Sequence, residues 1–109
     1  MTDHYILSIS GDPIPEPDVM KWALWFEAHN ADRQLARTEL EDGIIVSTIF
    51  LGLDHSFGHG EPQLYETMIF GGPLDETQDR YATRQAAVNG HEYYCGVARS
   101  ASNIPKNVG

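Results

Sequence analysis

The stretch Ser47–Asp75, STIFLGLDHSFGHGEPQLYETMIFGGPLD, sets Asp54, His55, His59, Glu61 and Glu66 close together between two apolar runs. Imidazole and carboxylate groups suit zinc, manganese or iron, and a catalytic site needs about three protein ligands. Asp54, His55, His59 and, further along, His91 are the donors for such a site, with Glu66 a further carboxylate. His55 and His59 have the spacing that aligns two rings on one helix face. Gly58, Gly60 and Pro62 argue against a helix there, so the spacing loses its geometric meaning. The same residues also have ordinary duties. Asp54 can bind backbone amides in the loop, and His55 and His59 can be solvated. His91 can be a core histidine bonded to Glu66, Asp54 or a carbonyl, and an Asp54–His91 pair would tie the loop to the last helix.

Nucleophilic catalysis has weaker support. Ser47, Ser56 and Cys95 are available beside His55, His59 and His91, and Cys95 follows His91 by one helical turn. None stands in a strand–turn–helix elbow of the G-x-S-x-G kind. GHG and FGG lack the spacing of a phosphate loop or dinucleotide fingerprint, and no cofactor is expected. Glu66 shares a strand face with Leu64, Met68 and Phe70, and a carboxylate in that setting needs a partner. Arg37 and Arg80 are the candidates.

The elements that hold these residues follow from periodicity. Tyr5–Ser10 reads as a short strand, and the prolines of Gly11–Pro17 end regular pairing. Asp18 caps a helix running through VMKWALWFEAHN. Val19, Trp22, Ala23 and Phe26 form one stripe of it, and Met20, Leu24 and Trp25 widen that stripe. Such a helix must be covered on more than one side, so Trp22 and Trp25 are either core or interface. Leu35–Leu40, Ile44–Leu53 and Leu64–Phe70 read as strands, with a tight turn at Asp42-Gly43. Ile44–Leu53 is almost continuously apolar, as expected of a strand covered on both faces. Thr83 caps a final helix with Ala87, Gly90, His91, Tyr94 and Val97 or Ala98 on one face. Gly90 costs about 1 kcal/mol inside a helix, which suggests close approach of the sheet backbone. The expected fold is α+β: an antiparallel sheet of three or four strands built from hairpins, packed against two helices. It forms a single domain over residues 1–100, with a flexible tail at 101–109.

The chain of 109 residues carries 16 acidic and 7 basic side chains, a formal charge of −9, and one cysteine. That field disfavours nucleic acid and suits a basic protein partner. One cysteine excludes an intrachain disulfide and suits a reducing compartment, where Cys95 serves as a small buried side chain. The first residues show no secretory leader and no run is long enough to span a bilayer, so a cytoplasmic protein without membrane contact is expected.

Val46–Glu92 resembles a family of small bacteriophage and prophage proteins of unknown function. The resemblance rests on FLGLDH at Phe50–His55, YETMIFGGPLD at Tyr65–Asp75, Arg80-Tyr81 and A..GH at Ala87–His91, with W..WFE at Trp22–Glu27 similar upstream. It implies a phage or prophage accessory protein in a host cytoplasm and no enzyme class. Two functions are therefore expected. The leading one is a non-enzymatic binding or inhibitory module acting on a host protein, with Trp22 and Trp25 as anchors and a homodimer through that helix compatible. Its binding residues would come from Trp22, Trp25, Asp54, His55, Glu66 and His91. The alternative is a small metal-dependent hydrolase or ligand binder at Asp54, His55, His59 and His91.

Overall fold

The computed structural model describes residues 2–102. Four strands, β3 (Gln34–Glu39), β4 (Ile45–Phe50), β5 (Tyr65–Phe70) and β6 (Gln78–Tyr81), form one antiparallel meander in sequence order. Two further strands, β1 (Tyr5–Leu7) and β2 (Pro13–Pro15), make a separate ribbon. The helices are α1 (Val19–Ala28) and α2 (Arg84–Ser102), and the class is α+β. Among the described residues no helix is long and apolar enough to cross a membrane.

Alternation along β4 and β5 sets the layers. Val46, Thr48 and Phe50 are buried opposite Ile69, Thr67 and Tyr65. Ile45, Ser47, Ile49, Glu66 and Met68 lie on the other face and stay partly exposed. α2 covers the first face and packs against all four strands. The Thr83 hydroxyl caps it, accepting from the Ala86 N–H at 3.1 Å. Ala87, His91, Cys95 and Ala98 are its buried residues, and their turn-by-turn spacing makes one stripe. The Tyr94 hydroxyl donates to Asp79 at 3.0 Å. Burial, and then the Asp79 carboxylate, push the Tyr94 pKa up to about 12.

Two apolar clusters fill this interface. Ile44, Val46, Ile69, Cys95 and Ala98 form one; Phe50, Leu64, Tyr65 and Ala87 form the other. Full burial of a residue such as Ile69 or Phe50 contributes about 1.5–3 kcal/mol. The expected turn at Asp42-Gly43 is a short 3₁₀ turn in which Asp42 takes φ 62°. Cys95 is buried and unpaired.

Several expectations need correction. The proline-rich segment does pair. Pro15 lies opposite Tyr5 and Pro13 opposite Leu7. The Tyr5 N–H turns the other way, donating to the Gly52 carbonyl at 2.8 Å. At such positions a proline removes no ladder bond. The fourth strand of the main sheet is β6, which the sequence did not suggest, and the N-terminal strand, whose place the sequence leaves open, belongs to the ribbon. Among the described residues β4 is covered on one face rather than both, because α1 packs on β1 and reaches the sheet only at its end, where Trp25 meets Phe50 edge-on. Of the tail expected from residue 101, Ala101 and Ser102 continue α2 and the remainder lies outside the described residues.

Gly90 makes room for a side chain rather than for backbone. A Cβ there would collide with the ring and hydroxyl of Tyr81. Gly90→Ala should therefore destabilise the fold by about 1–3 kcal/mol through overpacking, against the gain of about 1 kcal/mol that helix propensity alone would bring. Urea unfolding of the two proteins measures the sign. A lower midpoint with unchanged slope is the expected result.

Candidate functional site

The DHSFGHGE loop is organised by one carboxylate. Asp54 Oδ1 accepts from the backbone N–H of Ser56 at 2.7 Å and of Gln63 at 2.9 Å, and Oδ2 accepts from the Ser56 hydroxyl at 2.9 Å. Burial raises the Asp54 pKa, but these donors outweigh it and hold the carboxyl below its ordinary value. The His55 ring turns back to the Leu53 carbonyl at 2.9 Å, and His59 is exposed. Phe57 sits at the loop tip with φ 54° and is 80% exposed. That conformation is unusual for a bulky side chain.

His91 is elsewhere. Its Nδ1 lies 2.8 Å from Thr48 Oγ1 and its Nε2 2.9 Å from Thr38 Oγ1. Thr48 Oγ1 is 2.6 Å from Thr67 Oγ1. Three strands and α2 thus meet in one chain of polar groups. The expected partners of His91, Asp54 and Glu66, are replaced by threonine hydroxyls. Glu66 faces the other side of the sheet, where Arg80 Nε donates to it at 2.9 Å. Arg80 is thus the partner of the two that were expected, and Arg37 pairs with Glu39 instead. Asp54, His55, His59 and His91 are not brought together, and among the described residues no group of three or more His, Cys, Asp or Glu is placed to hold a metal ion.

The two tryptophans form a seam between α1 and the rest. Asp18 caps this helix as expected, its carboxylate accepting from the N–H groups of Met20 and Lys21. The Trp22 indole N–H donates to the Gly52 carbonyl at 2.9 Å, and its ring packs on His4 and Phe26. Trp25 packs on Phe50 and stacks on His29, with ring centroids 5.1 Å apart. Both are half-buried. Val19, Met20 and Leu24 carry the exposed apolar surface of α1, at 54%, 69% and 66% exposure.

Beside this seam runs an open groove of about 540 Å³ between the ribbon and the end of α1, lined by Leu7, Ile9, Trp25, His29 and Asp32 among others. His29 Nδ1 and Asp32 Oδ2 are 2.8 Å apart. Such a pair orients an imidazole and leaves its second nitrogen to act on a ligand. Ser8 also lines the groove, but its hydroxyl engages Ser10 and the Asp12 N–H. The groove therefore presents an oriented imidazole, and among the described residues that line it none forms a nucleophile–base pair. Sequence reading missed His29 and Asp32, although their spacing in HNAD places both within one turn at a helix end. The ribbon that completes the groove depends on pairing by prolines, which local rules disfavour. No family model, curated protein or solved structure matches the chain.

Two outcomes follow. Asp54→Ala leaves two backbone donors and one hydroxyl without their acceptor. It should open the loop to proteolysis between Ser56 and Gln63, with a loss of about 1–3 kcal/mol in chemical denaturation. Burial lowers the pKa of His91 below its ordinary value. The unfolded chain thus binds this proton more tightly, and the stabilising effect is complete above about pH 6.5 and is lost as pH falls towards the folded-state value. Melting temperature should drop between pH 7 and pH 5, and His91→Gln should flatten that part of the profile.

Proposed function

We propose that this protein is a small acidic binding module that acts by covering a basic surface on another protein. The carrying observation is the exposed row Val19, Met20 and Leu24 on a helix whose inner residues are already engaged. Glu16, Asp18 and Glu27 lie near it in the sequence, with one exposed cation, Lys21, on the same helix, and the chain as a whole has a charge of −9. Such an arrangement steers a basic partner over a distance and then excludes water at a central apolar contact. The resemblance to phage and prophage proteins supports an accessory role on a host protein in the host cytoplasm. The tryptophans enter this reading as supports. Trp22 and Trp25 fix the position of α1, and the exposed row makes the contact. The loop residues Asp54 and His55 shape the neighbouring surface, and neither His91 nor Glu66 is required at the contact.

Leu24→Asp tests the reading. It should leave melting temperature nearly unchanged and weaken partner binding at least about tenfold, which corresponds to roughly 1.4 kcal/mol. Affinity capture from bacterial lysate with wild type and variant side by side, followed by calorimetry on the recovered protein, gives both numbers. Binding should also weaken as salt is raised. If every captured protein binds both forms equally, the helix is not the contact surface.

A further inference from the structure

We propose that a second copy of this chain packs on the open face of the main sheet. The strands supply the argument. β4 is apolar on both faces, yet only its Val46, Thr48 and Phe50 face is covered by α2. On the open face Ile45 and Phe70 are direct cross-strand partners, Met68 lies opposite Ser47, and Ile49 lies opposite Glu66. Phe70 remains 45% exposed. A large apolar side chain left on a sheet face marks a surface that another layer covers.

Charge selects the occupant. The open face carries Arg37, Glu39, Glu66 and Arg80, which cancel, while Asp79 of β6 lies on the opposite face and accepts from Tyr94 of α2, so the formal charge of −9 lies off the open face. The four are already paired, Arg37 with Glu39 at 2.8 Å and Arg80 with Glu66 at 2.9 Å. Covering a paired charge costs less than covering a lone one. Here two identical acidic chains can meet without bringing like charge together at the contact. A basic partner gains nothing from this face and is served by the acidic surface elsewhere. Twofold packing of one sheet on another, about 10 Å apart with strands roughly aligned, uses the same patch on both copies. The surface is distinct from α1, so this inference stands or falls independently of the partner-binding role.

Sedimentation equilibrium of the full chain across a hundredfold concentration range provides the test. A dimer mass is expected at the upper end. Raising salt should tighten the association, because it screens repulsion between the acidic bodies while the contact itself is neutral. Phe70→Lys and Met68→Lys should each weaken self-association at least tenfold with unchanged circular dichroism, whereas Leu24→Asp should remain dimeric. Oxidation of Met68 in the wild type by dilute peroxide should slow as protein concentration rises, a readout that needs no variant. A monomer mass at every concentration overturns the proposal. So does a dimer that survives both lysine substitutions in folded protein, or one that dissociates on Leu24→Asp alone. Met68 oxidation independent of concentration in a dimeric sample overturns it as well.

Discussion

His91 is held between Thr38 and Thr48, with Thr67 next in line, and the packing of the main sheet depends on this contact. The four residues lie between the two apolar clusters of the interface, so the layer is polar in the middle and apolar at both ends. Along β4 the order is Val46, Thr48, Phe50; along β5 it is Ile69, Thr67, Tyr65. Burial of an imidazole without partners would be expensive, and here both ring nitrogens have one. Sliding α2 by one turn would set His91 against an apolar cluster and strand three hydroxyls. The layer therefore specifies register as well as adding stability. Neutral imidazole can donate from only one nitrogen, so the threonine hydroxyls must orient in concert, one accepting and one donating. Such a chain is satisfied as a whole or not at all.

That interface uses one side of the sheet. Among the described residues no helix covers the other side, and α1 is instead committed to the ribbon. The result is an unequal distribution of charge and apolar surface. The helix α1 presents exposed apolar side chains together with Glu27 and Lys21. The open sheet face presents apolar side chains amid cancelled pairs. These surfaces have similar apolar character and different electrostatics.

Much of the main sheet was legible because its strands obey a period of two and its turns use Asp and Gly. Ile44–Leu53 and Leu64–Phe70 were found within a few residues of their ends, and Thr83 and Asp18 mark the helix starts by a local chemical rule. What was not legible depended on distant partners. Gln78–Tyr81, QDRY, has almost no apolar pattern and becomes a strand because β5 offers it a ladder. Pro13–Pro15 becomes one because its missing N–H groups face away from the ladder. At the candidate site, Asp54 was readable as a loop organiser, since Asp in a turn binds nearby amides. The company His91 keeps was not, because three threonines on three strands carry no joint pattern in the sequence. The groove at His29 and Asp32 was hidden for a similar reason, since half of its wall comes from the ribbon.

Gly52 joins these parts. Its carbonyl accepts from both the Tyr5 N–H and the Trp22 indole, so the ribbon and α1 hang on one peptide at the exit of β4. Its φ of +76° suits glycine, and a Cβ there would press on the Phe26 ring at 3.1 Å. The Gly52 peptide thus helps set the orientation of the exposed helix relative to the sheet, together with Trp25 on Phe50. Arg33 closes the same seam from the other side. Its guanidinium lies 3.7 Å from the Phe26 ring centre and donates to the Phe50 carbonyl at 3.3 Å. An apolar row that swung freely would lose on ordering what it gained in any contact, and this seam removes that freedom. Trp22 and Trp25 are therefore part of the mounting that holds the exposed row in place.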